Sequence, residues 1–314
     1  MNELTNAYRS QLLVLANNCN AQIDQIRKSN MLLRLKNVSI SNAIKNYNMA
    51  VASLKAKYNA DIERLQLLQQ QPKKRRSLLV GINYNGTPYQ LSGCISDVES
   101  LNAKYKETYN AEIITDLTNK KPTKSTILAE FASLLDSAVS GDTIMFAFSG
   151  HGSYTTDLNN DEMDGLDEMI ISCDLKCVLD DEFKSIINQK LKEGVTLIAL
   201  FDSCHSGSVL DLKYSYPNYS TKTINSADKN DTIGNVIMIS GCMDDQTSAE
   251  SIISGKVSGA MTWSLLETLN QNPNGLSWYS LLTNMKNKLN SSGFIQIPQL
   301  SSGKLLDTSS NALF

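Results

Sequence analysis

The sequence predicts a layered α/β domain built on a mostly parallel central sheet and preceded by a separate helical segment. Three observations carry this. The first 71 residues contain neither Gly nor Pro. Beyond them, short apolar runs alternate with amphipathic stretches of helical length. Two of those runs, residues 143 to 148 (TIMFAF) and 196 to 201 (TLIALF), are continuously apolar, as strands covered on both faces should be.

In chain order, residues 1–71 form the helical region. Its second half spaces apolar residues three or four apart from Ile40 through Tyr47, Leu54 and Tyr58 to Leu68. Leu12, Leu15, Cys19, Ile23 and Ile26 make a similar earlier stripe, and Asn37 to Ser41 offers a break with an N-cap. Two long helices follow, as a hairpin or a coiled coil, with self-association or docking on the next domain as competing uses. Pro72 and the basic run Lys73, Lys74, Arg75 and Arg76 read as a linker over 72–76. The α/β domain then occupies 77–314. Strands are expected at 77–82, 112–116, 143–148, 196–201 and 235–239, with helices at about 96–110 and 125–140. Residues 212–232 are polar and read as an exposed loop dividing this domain into parts of about 77–211 and 233–314.

Composition excludes several classes. The chain has 314 residues, 41% hydrophobic, and a formal charge of −3, so it has ample core and no global electrostatic footprint for nucleic acid. No basic n-region precedes an apolar h-region, and no apolar run approaches a bilayer span, so a cytoplasmic protein without a membrane or nucleic-acid partner is expected. Six scattered cysteines in a chain this large read as reduced thiols. Cys173 and Cys177 have no second Cys/His pair to complete a zinc site.

The chemistry falls at strand ends. The two apolar strands run into Ser149-Gly150-His151-Gly152 and Asp202-Ser203-Cys204-His205-Ser206-Gly207. Parallel neighbours would bring His151 and Cys204 out on one edge. His205 cannot easily serve the adjacent Cys204, so His151 is the candidate base for a Cys204 nucleophile. The Gly152 and Cys204 amides are candidates for an oxyanion hole. An Asp two residues before the nucleophile puts negative charge where a cationic substrate side chain would dock. Residues 157–168 (DLNNDEMDGLDE) are densely acidic. They fail as an EF-hand, because Glu162 stands where Gly is required, yet closely spaced carboxylates call for a hard cation, and Ca2+ suits a flexible loop better than Mg2+.

These motifs carry a resemblance. SGHG, DSCHSGSVLDL, the earlier GINY and GCISDVESL, and the later ISGCMDDQTSAE and QIPQLSSG together resemble a metacaspase of the type I-like or related viral and protist forms, a caspase-like family of cysteine peptidases. The resemblance covers residues 77 to 314 and implies a caspase-like α/β/α sandwich. It further implies calcium-dependent cleavage after Arg or Lys by the Cys204/His151 dyad, an acidic pocket of Asp97, Ser149 and Asp202, and a calcium site of Asp164, Asp180, Asp181 and Asp211. A monomeric peptidase domain acting on polypeptides is implied, although the N-terminal helices offer a route to self-association. Basic residues in the chain, at Lys73 to Arg76 and at Lys213, Lys222 and Lys229, are candidate autocleavage sites. An assembly or regulatory module on the same fold is the alternative reading, and a thiol redox enzyme is disfavoured because CxxC is absent.

Overall fold

The computed structural model describes residues 2–70, 73–156, 165–204, 206–224, 230–241, 250–253 and 256–314. The chain divides into two compact units, Met1–Pro72 and Lys73–Phe314.

The first unit pairs α1 (Asn2–Lys28) with α2 (Leu33–Gln70). Tyr8 stacks on Tyr58 with ring centroids 4.4 Å apart, and the Cys19 thiol points to the Ala43 carbonyl at 3.9 Å, so the two helices run antiparallel. The break lies at 29–32 and not at Asn37 to Ser41. The interhelical stripe continues through Ile40, Ala43 and Tyr47, and this packing outweighs the weak helix preference of Ser39 and Ser41. Among the described residues, no helix is long and apolar enough to cross a membrane.

The second unit opens with β1 (Arg75–Gly81), α3 (Cys94–Tyr105), β2 (Asn110–Thr115), α4 (Lys124–Asp136) and β3 (Thr143–Ser149). A small antiparallel sheet follows, of β4 (Gly152–Thr156), β5 (Leu166–Ile171) and β6 (Cys177–Leu179), leading into α5 (Asp180–Lys190) and β7 (Thr196–Asp202). Then come β8 (Tyr214–Ser215), β9 (Thr223–Ile224), β10 (Asn235–Ser240), the hairpin β11 (Glu250–Ile253) and β12 (Lys256–Gly259), α6 (Ala260–Gln271), α7 (Trp278–Ser291) and β13 (Gln299–Ser302). The main sheet has the order β2-β1-β3-β7-β10-β13-β8-β9, parallel from β2 to β10 and antiparallel beyond.

Alternation along the strands sorts side chains into two cores. Phe146, Leu197, Ala199 and Phe201 face α4 and α5, where Phe131 packs edge-on against both Phe146 and Phe183. Met145, Ala147, Ile198 and Leu200 face α3, α6 and α7. This is a three-layer α/β/α sandwich, and the apolar strands are covered on both sides because every residue of β7 is buried.

Two further stretches differ from the sequence expectation. Arg75 and Arg76 are not linker: they open β1, opposite Thr143 and Ile144 of β3. Arg76 donates to the Ser137 carbonyl at 2.7 Å and pairs with buried Asp142 at 3.4 Å, so partners for its guanidinium draw it into the sheet. The segment 212–232 is only partly exposed. Tyr216 and Tyr219 are buried against the α6–α7 face, β8 pairs with β13, and the Tyr219 hydroxyl donates to the Pro298 carbonyl at 2.8 Å. Its tyrosines bury a large ring while satisfying a polar tip, which a count of polar residues overlooks.

Replacing fully buried Phe131 with Ala should destabilise the second unit by about 3–5 kcal/mol. Both tryptophans, Trp263 and Trp278, lie in this unit, so urea unfolding followed by tryptophan fluorescence reads it directly.

Candidate active site

The parallel strands end together. In the register of β3 with β7, Ser149 faces Asp202, which places His151 and Cys204 each two residues past one strand edge. Gly150 N–H donates to the Asp202 carbonyl at 3.3 Å, tying the two turns. A Cβ on Gly152 would overlap the Cys204 carbonyl oxygen, so this glycine serves the close approach of one loop to the other.

His151 is held from three sides. Its Nε2 lies 2.8 Å from the Tyr89 carbonyl, which can only accept, so Nε2 carries the proton and Nδ1 is left as the basic nitrogen. Its ring lies 4.7 Å from that of Tyr84. Its backbone N–H donates to the Tyr84 hydroxyl at 2.9 Å, and that hydroxyl donates onward to the Ile171 carbonyl at 2.7 Å. Tyr84 is buried, with φ of 52°, a strained value for a bulky side chain. Cys204 is half-buried and takes part in no disulfide. His205 lies outside the described residues, as does Cys242. Cys94 is buried at the start of α3, and Cys173 and Cys177 are free thiols on and beside β6.

Asp97, Ser149 and Asp202 do converge. Asp97 lies in the first turn of α3, but Gly93 occupies the cap and the Asp97 carboxylate turns inward. It accepts from Ser149 Oγ at 2.8 Å, from Ser258 Oγ, and from Gly259 N–H at 3.0 Å. Asp202 accepts from Thr262 N–H at 2.8 Å, so the start of α6 holds both carboxylates with its amides. A Cβ at Gly259 would overlap Asp202 and come within 2.8 Å of Asp97 Oδ2, so only glycine lets the chain approach both acids this closely. Burial, and next the neighbouring Asp202, push the Asp97 carboxyl up to about 7. Ser258, Gly259 and Thr262 were not found from sequence; they lie far along the chain in no recognisable motif.

A second acidic group lies at the start of α5. Asp180, Asp181 and Asp211 bring carboxylate oxygens within 4.8 Å of one another, the one such cluster of potential metal ligands among the described residues. Asp180 is buried and accepts from the Glu168 and Asp181 N–H groups at 2.6 and 2.7 Å. Burial and then the charge of Asp211 push its carboxyl up to about 8. Asp211, with φ of 46°, also meets Lys184 Nζ at 3.7 Å. Asp164 lies outside the described residues. Asp167 and Glu168, buried beside this group, complete a strongly acidic environment.

Comparison with known proteins bears on this geometry. A family model described as the metacaspase, peptidase C14 domain, matches residues 75–213. Metacaspase-1 of Emericella nidulans is 36% identical over 290 residues, spanning 74% of this chain and 71% of that protein. The chain belongs to the metacaspase family. Metacaspase-1 of Debaryomyces hansenii is 38% identical over 285 residues, and this chain spans 64% of its length. A solved structure from Geobacter sulfurreducens aligns over 74% of this chain and 95% of its own, at 24% identity and a TM-score of 0.57, which shows the shared fold. Metacaspases are cysteine-type endopeptidases of the caspase-like fold, and the matched residues span His151, Asp202, Cys204 and Asp211. The helical pair 2–70 lies outside them.

The two raised carboxyls set a pH dependence of stability. Each takes up its proton in the folded state at a pH where the unfolded chain has lost it, so the folded form binds more protons above pH 4. Unfolding free energy should therefore fall as pH rises from about 4 towards 7 for Asp97 and towards 8 for Asp180. Asp97→Asn should flatten the lower part of that slope, as read by urea midpoints across pH. An unchanged slope would mean that Asp97 titrates as it does in the unfolded chain.

Proposed function

We propose that the chain is a calcium-dependent endopeptidase that cleaves polypeptides after Arg or Lys. The observation that carries this reading is the buried pair Asp97 and Asp202, set under the same strand ends as Cys204 and His151. The Cys204 thiolate attacks the scissile carbonyl while Nδ1 of His151 holds the thiol proton and passes it to the leaving amine. The Gly152 and Cys204 amides are assigned to the developing oxyanion. Water then releases the acyl group from Cys204, with His151 as base. A guanidinium or ammonium entering between Asp97 and Asp202 would be desolvated but paired, whereas an Asp side chain would meet only like charge, which argues against specificity for acidic residues.

The donor set at Asp180, Asp181 and Asp211 fits Ca2+, a hard cation that takes carboxylate oxygens in flexible geometry. Bound there, it would neutralise the mutual repulsion of the carboxylates and fix the chain seven residues after the nucleophile. Asp164 is assigned to the same site on the family resemblance alone.

Hydrolysis of fluorogenic peptides with Arg, Lys or Asp at the cleaved position tests the whole reading. Turnover of the basic peptides should need calcium, vanish in Cys204→Ala, and fall about 10²–10⁴-fold in His151→Ala. KM for the Arg peptide should fall as pH rises through about 7, since Asp97 must ionise to pair with the cation. Equal turnover in chelator, or preference for Asp, would sink the calcium or the specificity assignment respectively.

Self-cleavage is narrowed by the fold. Arg75 and Arg76 are paired into the sheet, and Lys213 is tied to Asp231 at 2.8 Å. Lys73, Lys74 and Lys222 are exposed, while Lys229 lies outside the described residues. Mass spectrometry of the chain incubated with calcium should find cuts after Lys222 or in Lys73–Lys74 and none after Arg75, Arg76 or Lys213. Cys204→Ala should stay whole.

A further inference from the structure

The tip of the helical pair carries chemistry that the peptidase reading leaves unused. Met31, Leu32 and Leu33 are consecutive and 40, 75 and 74% exposed, and Leu35 and Val38 on the next turn are more than half exposed. Large apolar side chains grouped at one end of a helix pair are an uncommon way to face water. Around them stand Arg27, Lys28, Arg34 and Lys36. Between Asp24 and Asp61 the sequence holds seven basic residues and no acidic one, in a chain whose formal charge is −3.

The backbone at the tip is asymmetric in the same sense. The carbonyl end of α1 is closed internally: Lys36 Nζ donates to the Arg27 carbonyl at 2.8 Å, and Ser29 caps Ile26 with its hydroxyl at 2.6 Å. The first turn of α2, by contrast, holds no acidic residue, so its leading amides add to the positive potential. Helix rise is about 1.5 Å per residue, so Leu35 and Val38 lie within about 10 Å of the apex, the depth to which apolar groups enter a headgroup and acyl boundary. Cations interleaved at that level match lipid phosphates.

We propose that this tip docks end-on to an anionic lipid surface, with Met31 to Leu33 inserted and Arg27, Lys28 and Arg34 at headgroup level. The contact is peripheral and needs no spanning segment, which is why a search for long apolar runs passes over it. A nucleic acid would use the cations but leave the leucines exposed to water. A second copy of the chain would bury the leucines while bringing like charges together.

The test is co-sedimentation of the full-length chain, in the Cys204→Ala background, with vesicles of phosphatidylcholine alone or with about one third phosphatidylserine. Binding is expected to the anionic vesicles only and to weaken with added salt. Leu32→Ser with Leu33→Ser, and separately Lys28→Gln with Arg34→Gln, should each reduce it on the order of tenfold or more, with helix content by circular dichroism unchanged. The proposal fails if the chain ignores anionic vesicles at physiological salt, or if neither double variant alters the binding. It also fails if the leucine variant changes only the molar mass by light scattering, which would assign the tip to a second copy. Loss of binding to a short duplex DNA without loss from vesicles in the charge variant would assign it to nucleic acid.

Discussion

Everything at the candidate site depends on the register between β3 and β7. A slip of one residue would exchange the two faces of a strand whose seven residues are all buried, moving Phe201 and Ala199 out of the α4–α5 core and Leu200 into it. The packing on both faces therefore fixes the register, and the register fixes which side chains leave the sheet together. Ser149 opposite Asp202 is the last paired step. His151 and Cys204 follow at equal distance on adjacent strands, so their proximity is inherited from core packing and requires no contact between them during folding.

The same edge concentrates negative charge, and the fold offsets that cost by different means in two places. Around Asp97 and Asp202 the compensation is fixed: hydroxyls of Ser149 and Ser258 and the first amides of α6 supply donors, and a retained proton relieves what remains. Around Asp180, Asp181 and Asp211 it is partial, since backbone amides satisfy Asp180 while Lys184 approaches Asp211 from the side. Under the proposed function, the first group would pair with a cationic substrate side chain and the second with a bound cation.

How far the sequence disclosed this follows from the range over which each signal acts. Continuous apolar runs reported the parallel strands nearly to the residue, and the turns that end them exposed His151 and Cys204, because those features are written in consecutive residues. The Tyr89 carbonyl that sets the His151 tautomer has no side-chain signature at all. Ser258 and Gly259 meet Asp97 across 161 and 162 residues, a pairing that only the completed sheet defines. The displaced helix break has the opposite cause: Ser39 and Ser41 are a genuine local signal that interhelical packing overrides. Arg75 and Arg76 read as solvated charge until the Tyr109 ring, for Arg75, and Asp142 and the Ser137 carbonyl, for Arg76, supply partners.

The strap from 212 to 224 has a consequence for what a broken chain would be. It is sewn to the body over 214–219, by β8 against β13 and by Tyr216 and Tyr219 sunk into the α6–α7 face, and its exposed Lys222 lies beyond both fastenings. Severing the backbone at Lys222 would separate two polypeptides on a denaturing gel without separating them in solution. The amino-terminal fragment would keep its hold on β13, a strand that belongs to the other fragment. Covalent continuity and structural integrity are thus decoupled at this one place, and the molecule can be two chains by chemistry while remaining one body by packing.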